Sequence, residues 1–290
     1  MKGLIFEIDE GRLLSYAGTG SVVQIPEGVG SVGPRVFYAH KEIERVIFPE
    51  SLKIIEESAF FGCSSLSSII FSTGLKVIEN HAFASCQALR ELILPEGLEI
   101  IEQSAFSPCA SLVRLVLPSS LKELGEFAFS CCRQLKEVQL PDQLERIDRS
   151  AFSMCSSLIW ITLPEALKEL VRGVFLGCTS LKDVNLKENI SDVENNAFQG
   201  CSSLLRVNVS EANPFLKSVD GVLYSRDGRC LKYFPGGRLE ISIPEGTIEV
   251  GKEAFYENRN FDRISLPESL EAIGDCAFYR SEERRVGKEC

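Results

Sequence analysis

The chain has 290 residues, 44% apolar and 25% charged, a composition that excludes a disordered chain and is long enough to bury a substantial core. Its net charge of −10 argues against a nucleic-acid partner, because phosphate neutralisation needs a clustered excess of Lys and Arg. No apolar run approaches the roughly 18 residues of a membrane helix, so no membrane insertion is expected.

The first element, residues 1–28, begins MKGLIFEIDEGRL and carries Glu7, Asp9 and Glu10 where an export signal would carry its apolar stretch. No signal peptide is therefore read in this chain, and an exported form is expected to start upstream of Met1. Gly3–Gly28 reads as a hairpin module, and it aligns with Gly221–Gly246 so that Tyr16 matches Tyr233 and Pro26 matches Pro244.

From residue 29 to 212 the chain repeats. Phenylalanine recurs every 23 residues at Phe37, Phe60, Phe83, Phe106, Phe129, Phe152, Phe175 and Phe198. In six of these eight units it follows alanine; Val36 and Val174 are the exceptions. Leu75–Gly97 is a representative unit, with apolar residues at unit positions 1, 4, 8, 9, 12, 15, 18 and 20. The segment L-x-x-I-x-L-P, as in Leu135–Pro141, has the period-2 alternation of a short strand closed by proline. Eight buried side chains do not offset the entropy of ordering a 23-residue unit, so each coil needs a neighbour on both faces. The spacing predicts a β-rich repeat solenoid, a leucine-rich-repeat superhelix with a concave parallel sheet.

Cysteine stands at position 12 of seven consecutive units, Cys63, Cys86, Cys109, Cys132, Cys155, Cys178 and Cys201. A nucleophile is not repeated at a fixed interval, whereas a structural ladder is. Buried thiols of this kind have raised pKa values and little thiolate. Stacked coils, about 4.8 Å apart, are within disulfide reach, but parallel Cβ vectors favour a reduced ladder. Of the two histidines, His40 replaces the cysteine of its own unit and His81 is expected to be exposed. No C-x2-C pair or calcium-loop spacing appears, so neither a metal nor another cofactor is expected, and no catalytic residue is assigned. The off-register Cys131 is expected to point outward.

On the predicted strand, positions 17 and 19 face away from the core. Position 19 holds Ile47, Ile70, Ile93 and Val116 in succession before turning polar, and position 17 includes Arg114, Trp160 and Arg206. An aliphatic column can reflect strand propensity alone, or it can be a binding patch. Exposed Trp and Arg are frequent anchors of interfaces, and these seven residues are the candidate protein-binding set.

Residues 213–246 interrupt the period and read as a second hairpin module, with Asp227-Gly228 as a two-residue turn. Both modules are expected to cap a block of coils. Residues 247–280 resume with one full and one truncated repeat around Phe255 and Phe278, and residues 281–290 abandon the pattern and read as a non-repeat, artefactual tail. The open last coil leads to the expectation of a fragment.

The motif L-K-x-I-x-x-x-A-F-x-x-C-x-S-L-x-x-I-x-L-P resembles the repeat of the BspA-like leucine-rich repeat family of bacteria and protozoa, over about residues 29–280. The resemblance implies a non-catalytic surface adhesin that binds host matrix or serum proteins, placed at the cell surface or secreted. An intracellular scaffold, a structural spacer and a thiol redox protein are the competing expectations.

Overall fold

The computed structural model describes residues 5–281 except 195, 259 and 261, and every element among them is a β-strand. Residues 1–4 of the first module and most of the expected tail, 282–290, lie outside the described residues. The repeat winds into a solenoid in which each 23-residue unit is one coil. The predicted strand forms at positions 17–19, and Arg45–Ile47, Ser68–Ile70, Glu91–Ile93 and Arg114–Val116 are successive examples. Each strand pairs in parallel with an equivalent strand one coil away, so that Arg114 faces Glu91 on one side and Glu137 on the other.

Where the sequence suggests one strand per unit, the structure has two. A second, two-residue strand occupies positions 3–4, as at Ile54–Ile55, Val77–Ile78 and Ile100–Ile101. Two residues are too few for alternation to be visible, which is why the periodicity conceals it. This second ladder runs without interruption from Ser31–Val32 to Arg146–Ile147, and the hairpin of Phe6–Asp9 and Arg12–Tyr16 extends it at its open end.

Between the ladders the chain turns through left-handed residues at positions 7 and 11, such as Ser58 and Gly62 (φ 56° and 73°) or Gly173 and Gly177 (φ 67° and 70°). These turns push the intervening Ala-Phe pair inward. The phenylalanines from Phe37 to Phe198 form one stack of near-parallel rings, with centroid separations from 4.6 to 5.9 Å. His81 occupies one of the turn positions and is half-buried, not exposed as its place in the unit suggests, because the left-handed turn folds it against the next coil, where its N–H donates to the Gln103 carbonyl.

The interruption has a cause legible only in three dimensions. Asn213 stands at position 1, where the preceding coils carry a buried aliphatic residue, and is itself fully buried. Its Nδ2 donates to the carbonyls of Lys187 and Ile190, and its Oδ1 accepts the N–H groups of Phe215 and Leu216. All the capacity of the amide is used to turn the chain out of the coil. Leu216–Val219, Val222–Ser225 and Cys230–Tyr233 then form an antiparallel sheet, and Cys230–Tyr233 pairs in parallel with Glu249–Val250. Tyr16 packs on Phe37 at 4.9 Å and Tyr233 on Phe198 at 5.4 Å, so a tyrosine closes each end of the first phenylalanine stack. The next residue, Phe234, starts a second stack on Phe255 and Phe278, each step 4.8 Å. The insert thus finishes one core and begins another.

Candidate functional site

Each of the seven cysteines is buried and unpaired by disulfide. Each donates its S–H to the main-chain carbonyl of the phenylalanine one coil earlier, from Cys63 to Phe37 at 3.0 Å through Cys201 to Phe175 at 3.1 Å. Burial pushes the thiols of Cys63, Cys132 and Cys178 up to about 12, and those of Cys86, Cys109, Cys155 and Cys201 are likewise raised. A thiol in this state is neither nucleophile nor metal ligand. His40 spends its Nδ1 on Glu42 at 2.7 Å. Of the off-register cysteines, Cys131 is half-buried in a left-handed turn, Cys230 is half-buried and Cys276 is exposed. No group of three His, Cys, Asp or Glu side chains among the described residues is placed to hold a metal ion, and no helix there is long and apolar enough to cross a membrane.

The outward face of the first ladder is built by strict alternation. In Trp160–Thr162 the middle residue, Ile161, is buried, which turns Trp160 and Thr162 outward. Trp160 is 42% exposed, Ile70 41% and Ile93 53%, while Ile47 and Val116 are half-buried and Arg114 and Arg206 exposed. Ile47 is in register with Ile70, and Ile93 with Val116. No strand pairing joins Ile70 to Ile93, however, so the four-residue column is two pairs rather than one strip.

Strand pairing in this ladder comes in three groups of three, with a break after Ser68–Ile70 and another after Glu137–Gln139. The second ladder has its own break, between Arg146–Ile147 and Glu169–Leu170. The phenylalanine stack passes these points unbroken, at 5.0, 5.7 and 5.9 Å. The coils therefore stay in contact across these points, and beside Trp160 the Ile159 N–H still donates to the Lys136 carbonyl at 3.1 Å.

At the break beside Trp160 a groove of about 960 Å3 opens on the face. Of the seven candidate residues it brings together Arg114, Val116 and Trp160, and leaves Ile47, Ile70, Ile93 and Arg206 outside. It adds Lys136, Glu137, Asp142 and Ile159, which the unit pattern does not single out. Glu137 was visible as the position-17 neighbour of Trp160, but nothing in the spacing marks the place where strand pairing is interrupted.

Electrostatics order the rest of the face. Arg114 is ion-paired with Glu91, and Arg206 with Asp183 at 2.6 Å, each across one coil. The hydrogen bond that Arg206 donates to the Asp183 carboxylate raises the pKa of its guanidinium above the usual value. Beyond Trp160, Thr162, Asn185 and Asn208 form a hydrogen-bonded rung, with amide donors 3.1 and 2.9 Å from their acceptors. Exposed ion pairs of this kind stabilise by at most about 1 kcal/mol each, so their effect is to hold side chains in place.

The BspA type leucine rich repeat region, as a family model, matches the chain in six copies across residues 20–132, 99–218 and 238–286. No curated protein matches it. Among solved structures it is similar to a leucine rich cell surface protein from Faecalibacterium prausnitzii, at 24% identity and a TM-score of 0.64 over 92% of this chain and 68% of that one. It is also similar to the T. pallidum leucine rich repeat protein, at 31% identity and a TM-score of 0.49 over 67% of this chain and 82% of that one. A leucine-rich repeat protein from Bacteroides ovatus matches at 23% identity and a TM-score of 0.47 over 93% and 87% of the two chains. The first of these likenesses shows the shared solenoid fold.

Proposed function

The chain belongs to the BspA-type leucine-rich repeat family, and from that premise we propose that it is a non-catalytic scaffold whose first-ladder face binds a protein. The observation that carries the reading is the groove at the strand break, where Trp160, Val116 and Arg114 converge. Aromatic, aliphatic and guanidinium groups around one opening are the composition of an interface centre. The buried, protonated thiols support a structural role for the cysteine ladder.

The finer proposal is an adhesin-like protein at the cell surface that recognises host matrix or serum proteins. The test is capture: the full chain is immobilised and exposed to serum and extracellular-matrix proteins, beside a Val116→Asp, Trp160→Ala double variant and an Ile70→Asp, Ile93→Asp double variant. Retention by the parent that is lost from the folded Val116/Trp160 variant supports the groove as the site. Loss from the Ile70/Ile93 variant alone moves the site to the aliphatic column. Retention of no protein by the parent overturns the adhesin reading in favour of a spacer.

A further inference from the structure

We infer that the partner segment taken by the groove is extended and basic, and that it lays a lysine or arginine side chain across the Trp160 ring against the Glu137 carboxylate. The inference rests on the protein-binding reading above and gives that partner its chemistry.

Three observations carry it. First, Trp160 offers an indole that is 42% exposed, and an indole face attracts a cation more strongly than any other aromatic ring does. Second, Glu137 occupies the same unit position one coil earlier, is exposed and lines the same groove. Its counterparts Glu91 and Asp183 are held by Arg114 and Arg206, whereas Glu137, in register beside Arg114, makes no ion pair among the described residues because Arg114 turns to Glu91. Third, the groove is acid-rich once the internal pairing is counted. Glu96, Glu137 and Asp142 line it against Arg114 and Lys136, and Arg114 is already neutralised by Glu91. The chain's charge of −10 adds a long-range attraction for a basic partner.

The shape selects an extended segment. Residues from four consecutive coils, from Glu96 to Trp160, line the groove. Three coil spacings of about 4.8 Å make it roughly 15 Å long, the reach of about four or five residues in a strand-like conformation. A compact small molecule would leave most of that length empty.

Trp160 is the only tryptophan in the chain, so its emission reports on this site and no other. The experiment titrates the full chain with a seven-residue peptide alternating lysine and threonine, and separately with its glutamate–threonine counterpart. The lysine peptide is expected to change Trp160 emission saturably, to bind about five-fold more weakly to Glu137→Gln, and to weaken as salt is raised. Because Glu137 is exposed and unpaired, the variant should keep the parent's thermal midpoint, which a melt confirms alongside. No saturable response, an equal response to both peptides, or unchanged affinity in Glu137→Gln each overturns the inference. Adding the lysine peptide to the capture experiment separates the two readings. A captured protein that the peptide does not displace sinks the basic-segment inference and leaves the protein-binding face intact.

Discussion

The thiol of Cys155 donates to the main-chain carbonyl of Phe129, one coil earlier, at 3.3 Å. The same carbonyl accepts the N–H of Cys132 at 3.3 Å, so it is shared between its own coil and the next. Repeated seven times, this link explains why cysteine holds position 12: the site is dry, small and one donor short. A serine would supply the donor at a higher desolvation cost, and an alanine would leave the donor missing.

Thiol labelling should divide the cysteines by their place in the coil. In a Cys290→Ser variant under native conditions, Cys276 reacts quickly, Cys131 and Cys230 more slowly, and the seven ladder thiols only as the chain unfolds. Mass-spectrometric peptide mapping against time measures this directly. Fast labelling of any ladder cysteine in the folded chain would contradict the burial of the ladder.

Stability should fall on the alkaline side. The thiols of Cys63, Cys132 and Cys178 have their usual value near 9.0 when unfolded and are raised to about 12 in the fold. Folding thus favours the protonated form, and the stability this contributes is fully present below about pH 9. Between about pH 9 and 12 the unfolded chain releases protons that the folded chain keeps, which removes about 1.4 kcal/mol per pH unit for each such thiol. Urea midpoints should be level with respect to these thiols below pH 9 and fall above it, less steeply in a Cys132→Ala variant.

Phe129→Ala should cost about 3–5 kcal/mol. Phe129 is fully buried and stacked on Phe106 at 5.3 Å and on Phe152 at 5.7 Å. The same change at Phe278, which is half-buried, should cost less. Paired urea denaturation curves decide it, and equal losses would argue against a continuous stack.

Asn213→Leu should destabilise the protein although it brings the residue closer to the repeat pattern. Leucine would match position 1 but leave two carbonyls and two N–H groups without their side-chain partner. The cost is about 3 kcal/mol, as buried polar groups left unpaired lose their full compensation. An unchanged midpoint in thermal denaturation would show that the amide does not hold the turn.

Much of this molecule can be read from its period. Position 9 is phenylalanine because a ring stack lines the coil-to-coil axis, and position 12 is cysteine because a thiol fits against the previous coil's carbonyl. The match of Tyr16 to Tyr233 in the two modules anticipates that both rings pack on the first phenylalanine stack. Less legible was the second ladder, whose strands are shorter than any alternation. Its turns left a trace, though: Gly62, Gly173, Gly177 and Gly200 all fall at positions 7 or 11, where φ is positive.

The candidate site divides along the same line. Alternation alone turns Trp160, Ile70 and Ile93 outward, because side chains on a strand point to opposite faces in turn. Local sequence therefore determined which residues face the core, which face outward and how coils stack, since those depend on repeats of short range. Which outward residues meet was decided by tertiary structure. Strand pairing is interrupted between Glu137–Gln139 and Trp160–Thr162, and the groove there is lined by Arg114, Val116 and Trp160 but not by Ile47, Ile70 or Ile93. Where pairing is interrupted depends on contacts between neighbouring coils, which the pattern of a single unit does not encode.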